Sequence, residues 1–359
     1  MSAHWKELLH LLKQGKYVYT DTVALAAATY VSRTWIQAPL WILVIAPPGT
    51  GKTCAVEQFA QADFAHMVSS VTPASLITAW GGSSSDRSLF SRIDQTMLIV
   101  KDFGTILTMN WDAIQVVFSL LREAFDGHVV KEFATCVREY TLHFNMIAAS
   151  TEVVYRNSHF LQQLGERFIR YEPPPVQLPW PMPVLEEGLA LQVAQWCEQL
   201  PQEPAGVIME EAPGAATVIG VLRTEFPHAM GSHEILEIVH PEHSSRLSQQ
   251  FNKLYVSLVT VTGDEEYSRA LTLRCVRDTI PRRRRSVLKA LWPCEPRSTA
   301  ELAEEVGIGP QTMRMELQDM YVLGILEREM VGFPRMYTWC LPKDQRKRYN
   351  KYVGDISGE

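Results

Sequence analysis

Continuous apolar runs alternate with helically spaced stretches along the first half of this chain. Leu40-Trp41-Ile42-Leu43-Val44-Ile45, Met97-Leu98-Ile99-Val100, Phe144 to Ala149 and Phe168 to Tyr171 read as strands buried on both faces. Between them, Cys54 to Ala60 continues a first crossover helix, and Trp111 to Phe125 places apolar residues at 114, 117, 118, 121 and 125, one face of an amphipathic helix. Asp126-Gly127 turns the chain into Val129 to Tyr140, a predicted β-hairpin. Gly81-Gly82-Ser83-Ser84-Ser85 has linker composition. Leu8, Leu9, Leu11 and Leu12, then Val23 to Val31, predict two helices before the first strand, with a turn at Gly15. Strands alternating with helices predict an α/β fold with a parallel sheet between two helical layers.

The second half has a different grammar. Prolines at 173, 174, 175, 179, 181 and 183 predict a stiff boundary. Residues 184–280 read as helical, with Ser244 to Leu258 and Glu265 to Asp278 the clearest pair. Arg283 to Trp292 predicts another helix. Ser298 with Glu301 forms a capping box for Thr299 to Val306, and Pro310 opens a third helix that Leu323-Gly324 closes. Ile325 to Glu329 and Met336 to Leu341 flank Gly332-Phe333-Pro334 as a hairpin. Helix, helix, turn, helix and β-wing is the winged-helix order. The predicted organisation is therefore a helical segment 1–34, an α/β domain 35–172, a Pro-rich linker 173–183, a helical lid 184–280, a winged helix 281–342 and a basic, flexible tail 343–359.

Candidate chemistry starts where the first strand ends. Ala46-Pro47-Pro48-Gly49-Thr50-Gly51-Lys52-Thr53 is a glycine-bearing bend between a buried strand and a helix, the setting of a phosphate cradle. Backbone N–H groups of Gly49-Thr50-Gly51 and their neighbours, in a bend that Pro48 helps set, wrap a β-phosphate, Lys52 reaches the β/γ-phosphates, and the Thr53 hydroxyl holds Mg2+. Ala46 stands where such loops usually carry glycine; its methyl is tolerated if φ stays negative. The expectation is a chain that binds ATP with Mg2+.

A triphosphate site also needs a carboxylate, a γ-phosphate sensor and often an arginine from a neighbouring subunit. Lys101-Asp102 follows the second apolar strand with one acid only. If that strand stops at Val100, Lys101 takes the metal-carboxylate position and Asp102 orients water; one residue longer, and Asp102 serves Mg2+. Glu123 and Asp126 are alternative carboxylates. Thr151, or Ser150 beside it, ends the third strand as sensor. Arg167 precedes the fourth strand, either as an interface finger or in a salt bridge to Glu166 or Glu172. Arg246 opens a lid helix from which it reaches the phosphates.

This order of parts resembles the AAA+ ATPases, and within them the minichromosome-maintenance-like helicases and replication initiators of phages and mobile elements. The residues that carry the resemblance are Leu98 to Phe103, Leu120 to Lys131, Ala148-Ala149-Ser150-Thr151, Gly165-Glu166-Arg167-Phe168 and Ser245-Arg246-Leu247, within about residues 35–280. It implies a ring-forming ATPase acting on DNA as replication initiator, helicase or helicase loader, with replication partner proteins. It also implies a hairpin in the ring channel, on which Lys131 contacts a DNA phosphate. Ala46 and Lys101 depart from the family pattern.

Composition and charge alter the picture little. The chain has 359 residues, 46% of them hydrophobic, and a net charge of −6. No apolar run approaches the ~20 residues of a membrane span. Met1 to Lys6 lacks a signal-peptide core, and six scattered cysteines suggest neither a zinc site nor a disulfide frame. A cytoplasmic, non-membrane protein is expected. From Pro281 onward 14 Lys/Arg face 11 Asp/Glu, with clusters at Arg282 to Arg285 and Arg346 to Arg348. On the third helix of the winged helix, Gln311, Thr312 and Arg314 sit where base contacts are usual, and Arg335 at the wing tip contacts the DNA backbone. The competing expectation is a slow or non-hydrolysing, ATP-gated winged-helix regulator that binds a specific DNA site, favoured by the single acid at Lys101-Asp102.

Overall fold

In the computed structural model, which describes residues 1–14, 19–79, 86–156, 167–174, 188–229, 234–332, 336–354 and 356, a five-stranded, all-parallel sheet is flanked by helices. Its strands are β1 (Trp41–Ile45), β2 (Ala65–Val68), β3 (Met97–Val100), β6 (Asn145–Ser150) and β7 (Ile169–Tyr171), in the order β2-β3-β6-β1-β7. Alternation along the pleat divides the side chains between two layers. Trp41, Leu43, Ile45, Leu98, Val100, Met146 and Ala148 join Val117, Phe118, Leu121 and Phe125 of helix α5 (Trp111–Phe125) in one core. Trp41 is its hub, with Phe125, Phe144 and Phe168 ring centroids at 5.0, 5.3 and 5.5 Å. On the other face lie α2 (Thr20–Val31) and α3 (Lys52–Glu57). Alanines 24, 26, 27 and 28 of α2 are fully buried, small enough for a helix to sit close on a sheet.

The sequence missed β2. It is an edge strand of four half-buried or exposed residues, so it lacks the apolar run that marks the central strands. The hairpin stands as predicted, with β4 (His128–Glu132) paired to β5 (Val137–Thr141). Helix α1 (Ala3–Gln14) docks through Trp5, Leu8 and Leu12, and Trp196 of α7 (Leu189–Glu198) donates to the His4 carbonyl at 2.7 Å. Two short helices, α4 (Pro73–Leu76) and α6 (Val153–Arg156), complete the first region.

The described residues fall into two compact units, Met1–Met209 with Asn252–Thr272, and Glu210–Phe251 with Leu273–Glu359. Helices α9 (Ser245–Thr262) and α10 (Glu265–Thr279) belong partly to each, so the stretch 184–280 is not a compact body of its own.

The second unit holds α8 (Ala212–Arg223), α11 (Arg282–Ala290), α12 (Thr299–Val306), α13 (Pro310–Val322) and a three-stranded antiparallel sheet, β8 (Arg297–Ser298), β10 (Met336–Cys340) and β9 (Glu327–Val331). Ser298 caps α12 with Glu301 as expected from the sequence. Ile325 and Leu326 are buried ahead of β9 rather than inside it. The expected flexible tail is corrected from its start: Lys343–Tyr352 is helix α14, held by buried Tyr349 and by Tyr352, whose ring lies against Gly214 where any Cβ would clash. Among the described residues no helix is long and apolar enough to cross a membrane.

Candidate nucleotide site

Hydrogen bonding carries β1 one residue past its end: the Ala46 N–H donates to the Ser150 carbonyl at 3.2 Å. Ala46 is buried and its φ is negative, the condition under which alanine replaces glycine without strain. The loop then turns on two glycines that need left-handed backbone, Gly49 at φ 75 and Gly51 at φ 79. Nothing lies within 4 Å of where a Gly49 Cβ would be, whereas Gly51 has the Tyr19 ring 3.5 Å from that position. Tyr19, buried just ahead of α2, thus backs the loop; its only mark in the sequence is an aromatic at a helix start.

Lys52 is 8% exposed. Its Nζ donates to the Pro47 carbonyl at 3.1 Å, folding the side chain back across the bend. Burial lowers its pKa, and the charge of Asp102 opposes that shift. Thr50 Oγ1 also donates to the Pro47 carbonyl, at 2.9 Å, while Thr53 is half-buried on the first turn of α3. Because α3 has six residues, its dipole is small, and the loop amides and Lys52 dominate the local field. An open glycine bend with a buried ammonium folded over it fits a phosphate chain.

Strand order brings the other groups to the same end. β6 lies between β1 and β3, with Ile45 level with Ser150 and Val100 level with Ala148. The loop, Asp102 and Ser150-Thr151 therefore leave neighbouring strands side by side. Strand β3 ends at Val100, so Lys101 holds the first position after the strand and Asp102 the second. Lys101 forms an ion pair with Glu57 of α3. Asp102 Oδ1 accepts from the Gly104 N–H at 2.9 Å, capping the short 3-10 helix Phe103–Thr108. A Cβ on Gly104 would press on Asp102 Oδ1 and Val153 at 3.0 Å each, so glycine keeps this junction compact. Ser150 Oγ donates to the Thr151 carbonyl at 3.1 Å, and Thr151 is half-buried.

The alternative carboxylates are not at this end. Asp126 caps α5 beside Phe125, whose ring meets Trp41 at the start of β1, and it pairs with Arg167 at 3.0 Å. Glu123 accepts from Ser119 Oγ at 3.3 Å and lines a cleft of about 520 Å3 with Val130 and Lys131. Asp126 is thus an ion-pair partner of Arg167 that the sequence did not suggest, whereas Glu166 lies outside the described residues; the Arg167 guanidinium also lies over the Phe125 ring at 5.5 Å. Ile169 stands beside Ile42, so Arg167 is level with the entering end of β1, across the sheet from its own phosphate loop.

The remaining candidates lie elsewhere. Lys131 is half-buried in the cleft between α5 and β4, cross-strand from Arg138. Arg246, in the second unit, donates to Glu242 at 2.7 Å. On α13, Gln311 and Arg314 are exposed and Thr312 is half-buried. Arg335 falls outside the described residues. The arginine quartet divides. Arg282 and Arg283 are exposed, but Arg284 is buried between Glu316 at 2.7 Å and Asp319 at 3.2 Å, and Arg285 pairs with Asp278 at 2.6 Å. Those two arginines hold the helices together and offer nothing to a phosphate; the run of four concealed this.

Among the described residues no cluster of three or more His, Cys, Asp or Glu forms a ready metal site. Protein-family models and curated proteins were both compared with the chain, and none matches.

Proposed function

We propose that this chain is a P-loop ATPase of AAA+ type that binds ATP with Mg2+ and acts on DNA as a ring-forming replication initiator, helicase or helicase loader. The observation that carries the reading is Lys52, a buried ammonium folded over a bend whose glycines have left-handed φ, with Asp102 near enough for its charge to be felt. Pro48, Gly49, Thr50 and Gly51 supply the phosphate-facing backbone, and Lys52 takes the β/γ charge. Thr53 Oγ1 is the protein oxygen for Mg2+, with phosphates and water completing the shell. Bound ATP supplies the phosphoanhydride bond whose cleavage drives the cycle. Asp102 Oδ2 has no hydrogen bond among the described residues, which suits a carboxylate that orients water. Thr151, at the end of the neighbouring strand, senses the γ-phosphate. Arg167 stands at the wrong end of the sheet for its own loop, so its use requires a second subunit.

The DNA-facing part of the reading rests on a winged-helix arrangement of α11, α12, α13 and the β9–β10 hairpin. Glu316 and Asp319, which make α13 look acidic in sequence, both pair with the buried Arg284, whose charge offsets one of the two. The early turns present exposed Gln311 and Arg314 and half-buried Thr312, with part of the nearby acidic charge tied up inside the fold. One observation favours the second reading, an ATP-gated DNA-binding regulator of slow or absent hydrolysis: the Lys101–Glu57 pair sets a cation where an acid would serve Mg2+.

Thermal unfolding with ATP and Mg2+ tests nucleotide binding. Saturation at 100 times Kd should stabilise the chain by about 2.7 kcal/mol, and Lys52→Ala should abolish the gain; no gain in the unsubstituted protein overturns the reading. ATP turnover stimulated by single-stranded DNA favours the motor, whereas slow turnover with sequence-specific duplex binding favours the regulator.

A further inference from the structure

Two cysteines far apart in sequence meet in the second unit. Cys340, the last residue of β10, donates through Sγ to the Cys294 carbonyl at 3.4 Å. Both residues are half-buried free thiols. Cys294 has φ 61, left-handed backbone in a residue that is not glycine. Such strain persists where the surroundings impose it and concentrates at functional positions. Here the surroundings are explicit: the Cys294 N–H donates to the Leu291 carbonyl at 2.9 Å, and Arg346 Nη1 donates to the Trp292 carbonyl at 3.1 Å. The turn after α11 is thereby pinned with Cys294 against the end of β10. Covalent geometry puts Cys340 Sγ within roughly 6 Å of the Cys294 Cα, so a disulfide requires the two side chains to turn toward each other across the remaining gap.

We propose that Cys294 and Cys340 form a reversible redox site, oxidised to an intramolecular disulfide by hydroperoxides. The Cys294 thiolate attacks the peroxide, gains one oxygen as a sulfenic acid and releases hydroxide. The Cys340 sulfur then attacks the Cys294 sulfur, the S–S bond forms, and the oxygen leaves as water. Two thiols and one hydrogen peroxide give one disulfide and two waters. Burial, Cys294, Glu327 and Glu329 push the Cys340 thiol up, which suits the resolving rather than the attacking partner. The closed loop encloses α12, α13 and β9, so oxidation staples the part of the chain that carries Gln311, Thr312 and Arg314. The proposal does not depend on nucleotide or DNA binding.

The test treats the full-length chain with stoichiometric hydrogen peroxide, alkylates the remaining thiols and maps peptides by mass spectrometry. The expected result is loss of two hydrogens and a single cross-linked peptide pair carrying 294 and 340, reversed by dithiothreitol and absent in both Cys294→Ser and Cys340→Ser. Intact thiols at 294 and 340 while exposed methionines or Cys54 and Cys136 oxidise would overturn it. So would separate sulfinic acids at 294 and 340, or cross-links to other cysteines. The unsubstituted protein decides between these outcomes even if a variant folds poorly.

Discussion

The two ends of the parallel sheet each bury a lysine, and they treat it differently. At the exit end Lys52 folds over an open bend, with one carbonyl as acceptor and Asp102 nearby. At the entry end Lys253 of α9 is 1% exposed and donates to the Trp35 carbonyl and to Asn145 Oδ1, both at 3.3 Å. No carboxylate among the described residues pairs with it, and burial pulls its pKa down to about 7. Asn145 completes that closed network. Its Oδ1 accepts from the Leu40 N–H at 2.8 Å, and its Nδ2 donates to the Thr29 carbonyl at 2.9 Å and Ser32 Oγ at 3.0 Å. One end is satisfied internally and fixes α2 and α9 to the sheet; the other keeps charge and backbone polarity turned outward. A parallel α/β sheet commonly divides its labour this way, with ligands outside the carboxyl ends of the strands.

The largest effect should come from breaking the closed end. Asn145→Ala strands the Leu40 N–H and the Thr29 carbonyl in the interior and leaves the buried Lys253 ammonium with the Trp35 carbonyl alone. At about 1–3 kcal/mol for each unsatisfied buried group, the expected loss is about 4 kcal/mol, read as a lower urea midpoint with an unchanged m-value. Lys52→Ala should do the reverse. It removes a side chain whose desolvated charge has one hydrogen bond, so stability without ligand changes by less than about 1 kcal/mol, while the ~2.7 kcal/mol gained with ATP and Mg2+ disappears. A Lys52→Ala loss as large as that of Asn145→Ala would erase the distinction between the two ends.

How much of this could be read beforehand follows the range of the interactions. Strands β1, β3 and β6 and helix α5 were legible because burial on one or both faces writes a local apolar pattern. Asn145, in contrast, sits inside an apolar run as a polar exception; its four partners come from residues 29, 32, 40 and 253, which no local pattern connects. The same applies to Arg284 and Arg285, which look like solvated charge in sequence and are structural ion pairs in the fold. In the candidate site, the loop was legible as a motif, whereas the positions of Lys101 and Asp102 relative to the end of β3, at Val100, were not. Tyr19 behind Gly51 and Glu57 beside Lys101 depend on packing between separate elements, so their roles had no sequence signal.

Titration sharpens the comparison further. Lys253 has a pKa of about 7 in the fold and 10.5 when exposed, so between these values the unfolded chain binds more protons and stability rises with pH. His143, lowered from 6.5 to about 4 by burial, then by Lys253, acts with the same sign in a lower window. From pH 8 to 10 the protein should gain about 2 kcal/mol from Lys253. Lys253→Met should flatten that rise and leave the rise between pH 4 and 6.5. A pH 8–10 rise that survives in Lys253→Met would assign it to other groups.

The smallest expected change in stability is at Asp126, the partner of Arg167, and the pair separates structure from mechanism most cleanly. Asp126 is more than half exposed, so the 3.0 Å pair is screened by water and Asp126→Ala should cost below about 1 kcal/mol. If Arg167 has a structural role alone, Arg167→Ala and Asp126→Ala should both leave ATP turnover unchanged, whatever each costs in stability. If Arg167 completes a neighbour's site, the two variants diverge. Arg167→Ala keeps the thermal gain from ATP and loses turnover by about 10³-fold or more, the scale of an arginine finger. Asp126→Ala leaves the guanidinium in place and retains turnover. Mixing Arg167→Ala with Lys52→Ala protomers then decides the geometry. Each variant lacks the group the other supplies, so partial recovery of turnover in the mixture requires the two residues to meet across a subunit boundary, and no recovery leaves Arg167 outside the site.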